Sequence, residues 1–305
     1  MTGDKTRDAA KQGGSAPLSA LHRANLSQLG ENDIVVASYG GAGQSMIANV
    51  LQELGLNFAD PYTETLQADG RSSAVTAHDD FRRRFPATWA RDRGGHALPR
   101  SPWPRFVKTH LSAELLADRP LGGVWLHVRD PRDALRSWFH WRQRFAEEVW
   151  DQIHGSFEDF LAGPDYSGRR PPQDWAAFYA GWRDRARSCR VSTLTRFEDL
   201  KADARGTLHK ALLGLGVEVM ADELAHAVTA SSFGVMRAHE EAVVGCGPMA
   251  EGDRIMRRGV VDEWKEWLTP DLARLFAGCA DVASQFGYRL DVDDTDGSDG
   301  SPARR

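Results

Sequence analysis

Between Tyr39 and Met46 the chain reads Tyr-Gly-Gly-Ala-Gly-Gln-Ser-Met. These residues lie between the apolar run Asp33–Ser38 and a stretch carrying Met46, Ile47, Val50, Leu51 and Leu54 at helical spacing. A glycine loop joining a buried strand to a helix presents backbone N–H groups and the positive end of the helix dipole, which suits a phosphate or a sulfate. The same residues would also make a plain tight turn that needs positive φ. A nucleoside-triphosphate loop requires a lysine just before its Ser or Thr, and here Gln44 precedes Ser45. A dinucleotide fingerprint requires a third glycine where Met46 stands, although Asp60 lies at a tolerable distance for its ribose contact. The loop therefore signals an oxyanion without naming its carrier.

Two further residues stand where chemistry is expected. His110 follows the run Arg105–Thr109, with Lys108 two positions before it, and Arg129 ends the run Gly123–Arg129. Ligands in open α/β sheets gather outside the carboxyl ends of the strands, so a base there would face the contents of the glycine loop. The planar fork of an arginine suits an oxyanion. Of the ten histidines, His127 and His140 read as packing or surface residues. Of the ten tryptophans, Trp89 and Trp103 are the candidate acceptor contacts, being near the second strand. No His-x-x-x-His pair or Cys/His spacing suggests a metal. The acidic end, Asp291 to Ser301, lacks the spacing and the twelfth-position Glu of a calcium loop.

These residues need a sheet to position them. Four apolar or β-branched runs, beginning at Asp33, Arg105, Gly123 and Val191, read as buried strands, each followed by a turn signal and a helical pattern. Helices are predicted over Pro131–Trp141, Pro172–Ser188, Ala204–Leu215, Ala221–Thr229 and Pro270–Phe286. This order predicts an α/β fold, a P-loop-like parallel sheet with helices on both faces. Residues 29–290 form one domain in this reading, between a disordered N-terminal tail (1–28) and a disordered acidic C-terminal tail (291–305). The punctuation-rich stretch 163–172 reads equally as a lid or as a surface loop.

A chain of 305 residues with 41% hydrophobic content can bury one substantial core. Its net charge of −5 argues against a nucleic-acid partner, leaving local clusters such as Phe81-Arg82-Arg83-Arg84 as anion contacts. Cys189, Cys246 and Cys279 are widely spaced and read as free thiols in a reducing compartment. No leader-like apolar segment opens the sequence, and no run approaches the about 20 residues that span a bilayer. A cytoplasmic protein without a membrane role is expected.

Taken in order, five segments resemble the sulfotransferases that use 3′-phosphoadenosine 5′-phosphosulfate (PAPS). Asp33 to Met46 is similar to that family's phosphosulfate loop, Tyr-Pro-Lys-Ser-Gly-Thr-Thr-Trp after a strand. Arg105-Phe-Val-Lys-Thr-His-Leu111 resembles its Lys-Thr-His-Leu strand end, and Val124 to His140 its 3′-phosphate segment. Ser231–Met236 and Met256–Lys265 resemble its adenine-stacking and C-terminal nucleotide-binding segments. The resemblance implies His110 as general base. It further implies Gly41, Ala42, Gly43, Gln44, Ser45 and Met46 around the phosphosulfate, Arg129 and Ser137 on the 3′-phosphate, Phe233 against adenine, and Arg257, Arg258 and Gly259 closing over the 3′-phosphate. The implied ligands are PAPS, its product PAP and a small-molecule acceptor, with no metal.

Three departures from the family pattern matter. The loop lysine, which neutralises the bridging and leaving oxygens, corresponds to Gly41, and the stacking Trp to Met46. Lys108 is the expected substitute for that charge, with Arg257 or Arg132 behind it. Phe197 replaces an aromatic hydroxyl and loses one polar contact to adenine. The family's dimerising segment is not evident, so the oligomeric state is left open. Two rival readings follow: a catalytically silent PAP-binding protein, motivated by Gly41, and an NAD(P)-binding Rossmann oxidoreductase.

Overall fold

A computed structural model describes residues 20–75, 99–145, 153–165, 167–244 and 254–290. Five strands, β1 (Asp33–Ser38), β2 (Asn57–Ala59), β5 (Arg105–Thr109), β6 (Gly123–Val128) and β7 (Val191–Arg196), form a sheet in the order β2-β5-β1-β6-β7. Every neighbouring pair is parallel. A separate hairpin, β3 (Glu64–Leu66) with β4 (Ser72–Ala74), follows β2. The central strands β1 and β6 are buried along their whole length, which is why they read as continuous apolar runs and show no alternation.

The two sides of β1 enter separate cores. Val35 and Ala37 pack with Val107, Leu126, Tyr179 and Trp182, whereas Ile34 and Val36 pack with Ile47, Leu51, Phe106 and Leu212. Helices thus cover both faces of the sheet: α3 (Pro131–Phe145) and α5 (Pro171–Arg187) on the first, α2 (Ser45–Glu53), α7 (Ala204–Gly214) and α8 (Ala221–Ala230) on the second.

The structure differs from the sequence expectations at several places. Helix α1 (Ala20–Leu26) lies within the stretch read as a tail, because Asn25 is buried and bonds across to Pro61, Glu64 and Leu66. The helix expected over Pro270–Phe286 is three pieces, α10 (Pro270–Leu275), a 3-10 turn (Phe276–Cys279) and α11 (Ala280–Ser284), with Gly278 of the turn pressed toward Gln173. Strand β2 and the helices α4 (Phe157–Ala162), α6 (Phe197–Ala202) and α9 (Phe233–Val244) had not been read as elements. The stretch 163–172 is fastened by a buried Arg142–Asp165 ion pair at 2.7 Å, and its last residues already belong to α5. Among the described residues, no helix is long and apolar enough to cross a membrane. Trp89, Cys246, the arginine cluster at 82–84 and the acidic end lie outside the described residues.

Candidate active site

The glycine loop runs from the carboxyl end of β1 to the head of α2. Gly41 and Gly43 hold φ of +79° and +87°, a region costly to residues with a Cβ. Space imposes the same choice. A Cβ at Gly43 would come within 2.8 Å of the Phe197 ring, and one at Gly41 would run into the Ala134 carbonyl oxygen of α3. A Cβ on Gly40 would enter the ring of Trp138. Trp138 and the α3 backbone therefore close the space that side chains at positions 40 and 41 would need.

Buried polar groups hold this loop from below. His127, fully buried, approaches the Ala42 carbonyl oxygen with Nε2 at 3.0 Å and Thr195 Oγ1 with Nδ1 at 2.9 Å. A carbonyl only accepts, so the proton sits on Nε2; burial pushes the pKa down to about 4 and keeps the ring neutral. The Tyr179 hydroxyl accepts from Tyr39 N–H and donates to the His127 carbonyl. His127 is therefore a loop support, more specific than the packing role read from sequence. Gln44 turns its side chain under the sheet and donates to the Val36 carbonyl at 2.6 Å, so only its backbone faces the loop mouth. At the head of α2 the first amides have no intrahelical partner, and no side chain caps them.

His110 stands beside the loop because β5 pairs with β1 in a register that sets Thr109 against Ala37, bringing the next residues together. Its Nδ1 lies 2.7 Å from the Ser38 carbonyl oxygen, so Nδ1 carries the proton and Nε2 keeps its lone pair. Burial, with Lys108 next in weight, pushes its pKa down to about 4. The His110 backbone N–H donates to the Tyr62 hydroxyl at 3.0 Å. Around it runs a row of rings: His22 on Tyr62, Tyr62 on His110, His110 on Trp138, and Trp138 stacked on Trp141 at 4.8 Å. Lys108, buried, lies 3.0 Å from Asp60.

Arg129 leaves the end of β6 and is almost fully buried. It donates to the Gly41 carbonyl at 3.1 Å and to the Val260 carbonyl at 3.0 Å, and it lies over the Phe197 ring at 4.3 Å. Its Nε has no partner among the described residues. Burial lowers its pKa, and the carboxylates Asp133, Glu198 and Glu263 oppose that shift. Phe197 thus packs beneath the loop and the guanidinium. Ser137 is half-buried on the following turns of α3. Asp133, pushed up to about 6 chiefly by burial, accepts from the Trp264 N–H at 2.8 Å.

The segment 254–267 crosses the front of the site. Gly259 abuts the Phe233 ring, and Met46 and Phe233 pack with Met236 and Met256 into a small apolar cluster next to the loop. Ser231 Oγ is buried near its edge with no partner among the described residues. Arg257 pairs with Glu263 at 2.5 Å and Arg258 with Glu266 at 2.6 Å. The structure therefore gathers the loop, His110, Lys108, Arg129, Phe233 and residues 257–259 at the carboxyl ends of the strands. Two candidates fall elsewhere. Arg132 is held by Asp130 and lies on the Trp264 ring, and Trp103 precedes β5 at the opposite edge, over an about 17 Å strand.

A glycine loop at a strand's carboxyl end, a buried arginine bonded to its Gly41 carbonyl and an uncharged imidazole on the neighbouring strand end thus stand together. The sequence profile of the sulfotransferase domain matches residues 31–282. The chain belongs to the sulfotransferase family. Mouse Sulfotransferase 2A6 is 23% identical over 247 residues, covering 78% of this chain and 79% of its relative. Rat Sulfotransferase 2A1 is 28% identical over 192 residues, covering 61% and 66%. In fold, the chain is similar to mouse sulfotransferase SULT7A1 complexed with PAP, with a TM-score of 0.56 at 20% identity over 88% of this chain and 89% of that one. It is also similar to retinol dehydratase in a complex with retinol and PAP, with a TM-score of 0.57 at 17% identity over 93% and 88%. Sulfotransferases of this family use PAPS.

The sequence did not point to Asp60, Tyr62 and Trp138 as parts of the site. In the sequence Asp60 bears only on a ribose contact, and Asp60-Pro-Tyr62 carries no periodic signal of its own.

Proposed function

We propose that this sulfotransferase moves the sulfuryl group of PAPS to a hydroxyl or amine of a small acceptor in the cytoplasm, with His110 as general base. The observation that carries the reading is the 2.7 Å contact of His110 Nδ1 with the Ser38 carbonyl, which leaves Nε2 unprotonated on a ring that neighbours Trp138, itself packed on Gly40 of the loop. PAPS supplies an activated sulfur whose bond to a phosphate oxygen breaks as the acceptor bond forms. Nε2 of His110 takes the acceptor's proton, a role worth about 10²–10⁴ in rate. The loop from Gly41 to Met46 lends backbone N–H groups to the phosphosulfate. Arg129 and Ser137, with Arg257, Arg258 and Gly259, hold the 3′-phosphate, and Phe233 with Met46 holds the base above Phe197. Lys108 supplies the positive charge that the loop lysine gives elsewhere in the family.

The acceptor side is lined by rings, which favours a flat apolar alcohol such as a secondary metabolite. Relatives include a guinea-pig 3-alpha-hydroxysteroid sulfotransferase, and retinol dehydratase has been seen in complex with androsterone and PAP. Androsterone is accordingly the first acceptor to assay. The deciding test is thermal stability with saturating PAP, compared with NAD and with ATP-magnesium. A ligand at a hundred times its Kd adds about 2.7 kcal/mol, so a shift specific to PAP is expected, and equal stability with and without PAP would overturn the reading. Gly41 favours one second reading, a silent PAP-binding protein; it predicts the PAP shift without PAP release from PAPS.

A further inference from the structure

Asp60 directly follows β2, one strand away from the base, and is fully buried. Its Oδ2 meets Lys108 Nζ at 3.0 Å, and its Oδ1 accepts from the Tyr62 N–H at 3.1 Å. The Tyr62 hydroxyl in turn accepts from the His110 N–H at 3.0 Å, and the Tyr62 ring lies 5.3 Å from Lys108 Nζ. One carboxylate therefore fixes the ammonium directly and the base through one intermediary. The Asp60 N–H donates to Glu64 at 2.8 Å, so the aspartate is itself held by the hairpin that follows.

We propose that Asp60 is the positioning residue of the reaction, holding the Lys108 ammonium where it meets the oxygen that leaves sulfur and keeping it in register with His110. The proposal rests on the sulfotransferase reading of the site and extends it to a residue outside the glycine loop. Its physical basis is the closed space at position 41. Because Trp138 and the Ala134 carbonyl leave no room for a side chain at positions 40 and 41, the charge of a loop lysine has to come from another element, and Lys108 of β5 is the ammonium beside His110. A lysine on a flexible four-carbon stem is a poor fixed charge unless something holds it, and burial without a counter-ion would be costly. Asp60 meets both needs. During transfer the bond between sulfur and the bridging oxygen breaks, its electron pair stays on that oxygen, and a hydrogen bond from Lys108 Nζ stabilises the charge. The proton released by the acceptor goes to His110 Nε2.

The test uses the full chain and two readouts that need no organic acceptor: PAP binding by thermal shift, and PAP release from PAPS with water as acceptor. Asp60→Asn is expected to bind PAP within about twofold of wild type while release falls about 10²-fold, the scale of losing one preorganised charge donor. Lys108→Met should fall equally, and the double variant no further, since both remove one unit. Release at the wild-type rate in D60N, or losses in D60N and K108M that multiply, would overturn the role of Asp60, as would parallel loss of PAP binding and release. Should D60N not fold, Asp60→Glu keeps the charge but moves it by one methylene, and wild-type release there would equally overturn it. A wild-type chain that neither shifts with PAP nor releases it from PAPS sinks the parent reading instead.

Discussion

His110 directs Nδ1 at the carbonyl oxygen of Ser38, 2.7 Å away, and so keeps Nε2 as the nitrogen that has no proton. The contact fixes tautomer and ring orientation together, as the third member of a catalytic constellation usually does. His110→Ala is expected to lower turnover about 10²–10⁴-fold while the thermal shift with PAP persists. Steady-state assay alongside PAP titration checks this, and unchanged turnover would refute the assignment.

The same imidazole fixes the pH dependence. Burial and Lys108 push its pKa down to about 4, so the ring stays neutral, and able to accept a proton, well below the range where a solvated histidine titrates. The acid limb of kcat/KM should fall near pH 4, with little loss between pH 7 and 5. An inflection near 6.5, in protein shown by circular dichroism to be folded, would contradict this.

Restoring the family's loop lysine should harm this chain. Gly41 has φ of +79° and its Cα faces the Ala134 carbonyl, so Gly41→Lys forces a strained backbone into the side of α3. A loss of about 1–3 kcal/mol in denaturant unfolding is expected, with weaker PAP binding. A G41K variant with higher turnover would show that the loop can rearrange around Trp138.

Phe233 lies against Gly259 at the apolar cluster of Met46, Met236 and Met256. Stacking of a base on an aromatic ring contributes about 1–3 kcal/mol, so Phe233→Ala should weaken PAP by about ten- to a hundredfold. Calorimetric titration decides it, and inorganic sulfate or phosphate at the loop should be unaffected.

How much of this was legible in the sequence depends on how locally each feature is encoded. The strands β1, β5, β6 and β7 announce themselves because strands buried on both faces are written as unbroken apolar runs. β2, three residues long, offers no such run. His110 and Arg129 can be singled out in the sequence because a strand's carboxyl end marks them. The direction of the Gln44 side chain is not written locally, since nothing in the order of residues tells whether its amide turns outward or, as it does, back to Val36. Trp138 and Asp60 escaped notice for a related reason. Trp138 matters through a glycine 98 positions earlier, Gly40, and Asp60 through a lysine 48 positions later, and only the folded sheet makes these neighbours.

The fastening of the front segment has a consequence for how the molecule is made. Arg129 reaches the Val260 carbonyl and Asp133 the Trp264 N–H, each across 131 positions of sequence. All five strands of the sheet and the glycine loop precede residues 254–267 in the order of synthesis. The cradle stays open at the front until those residues arrive, so a product that stops before them carries the loop and the base but has nothing to close over a ligand.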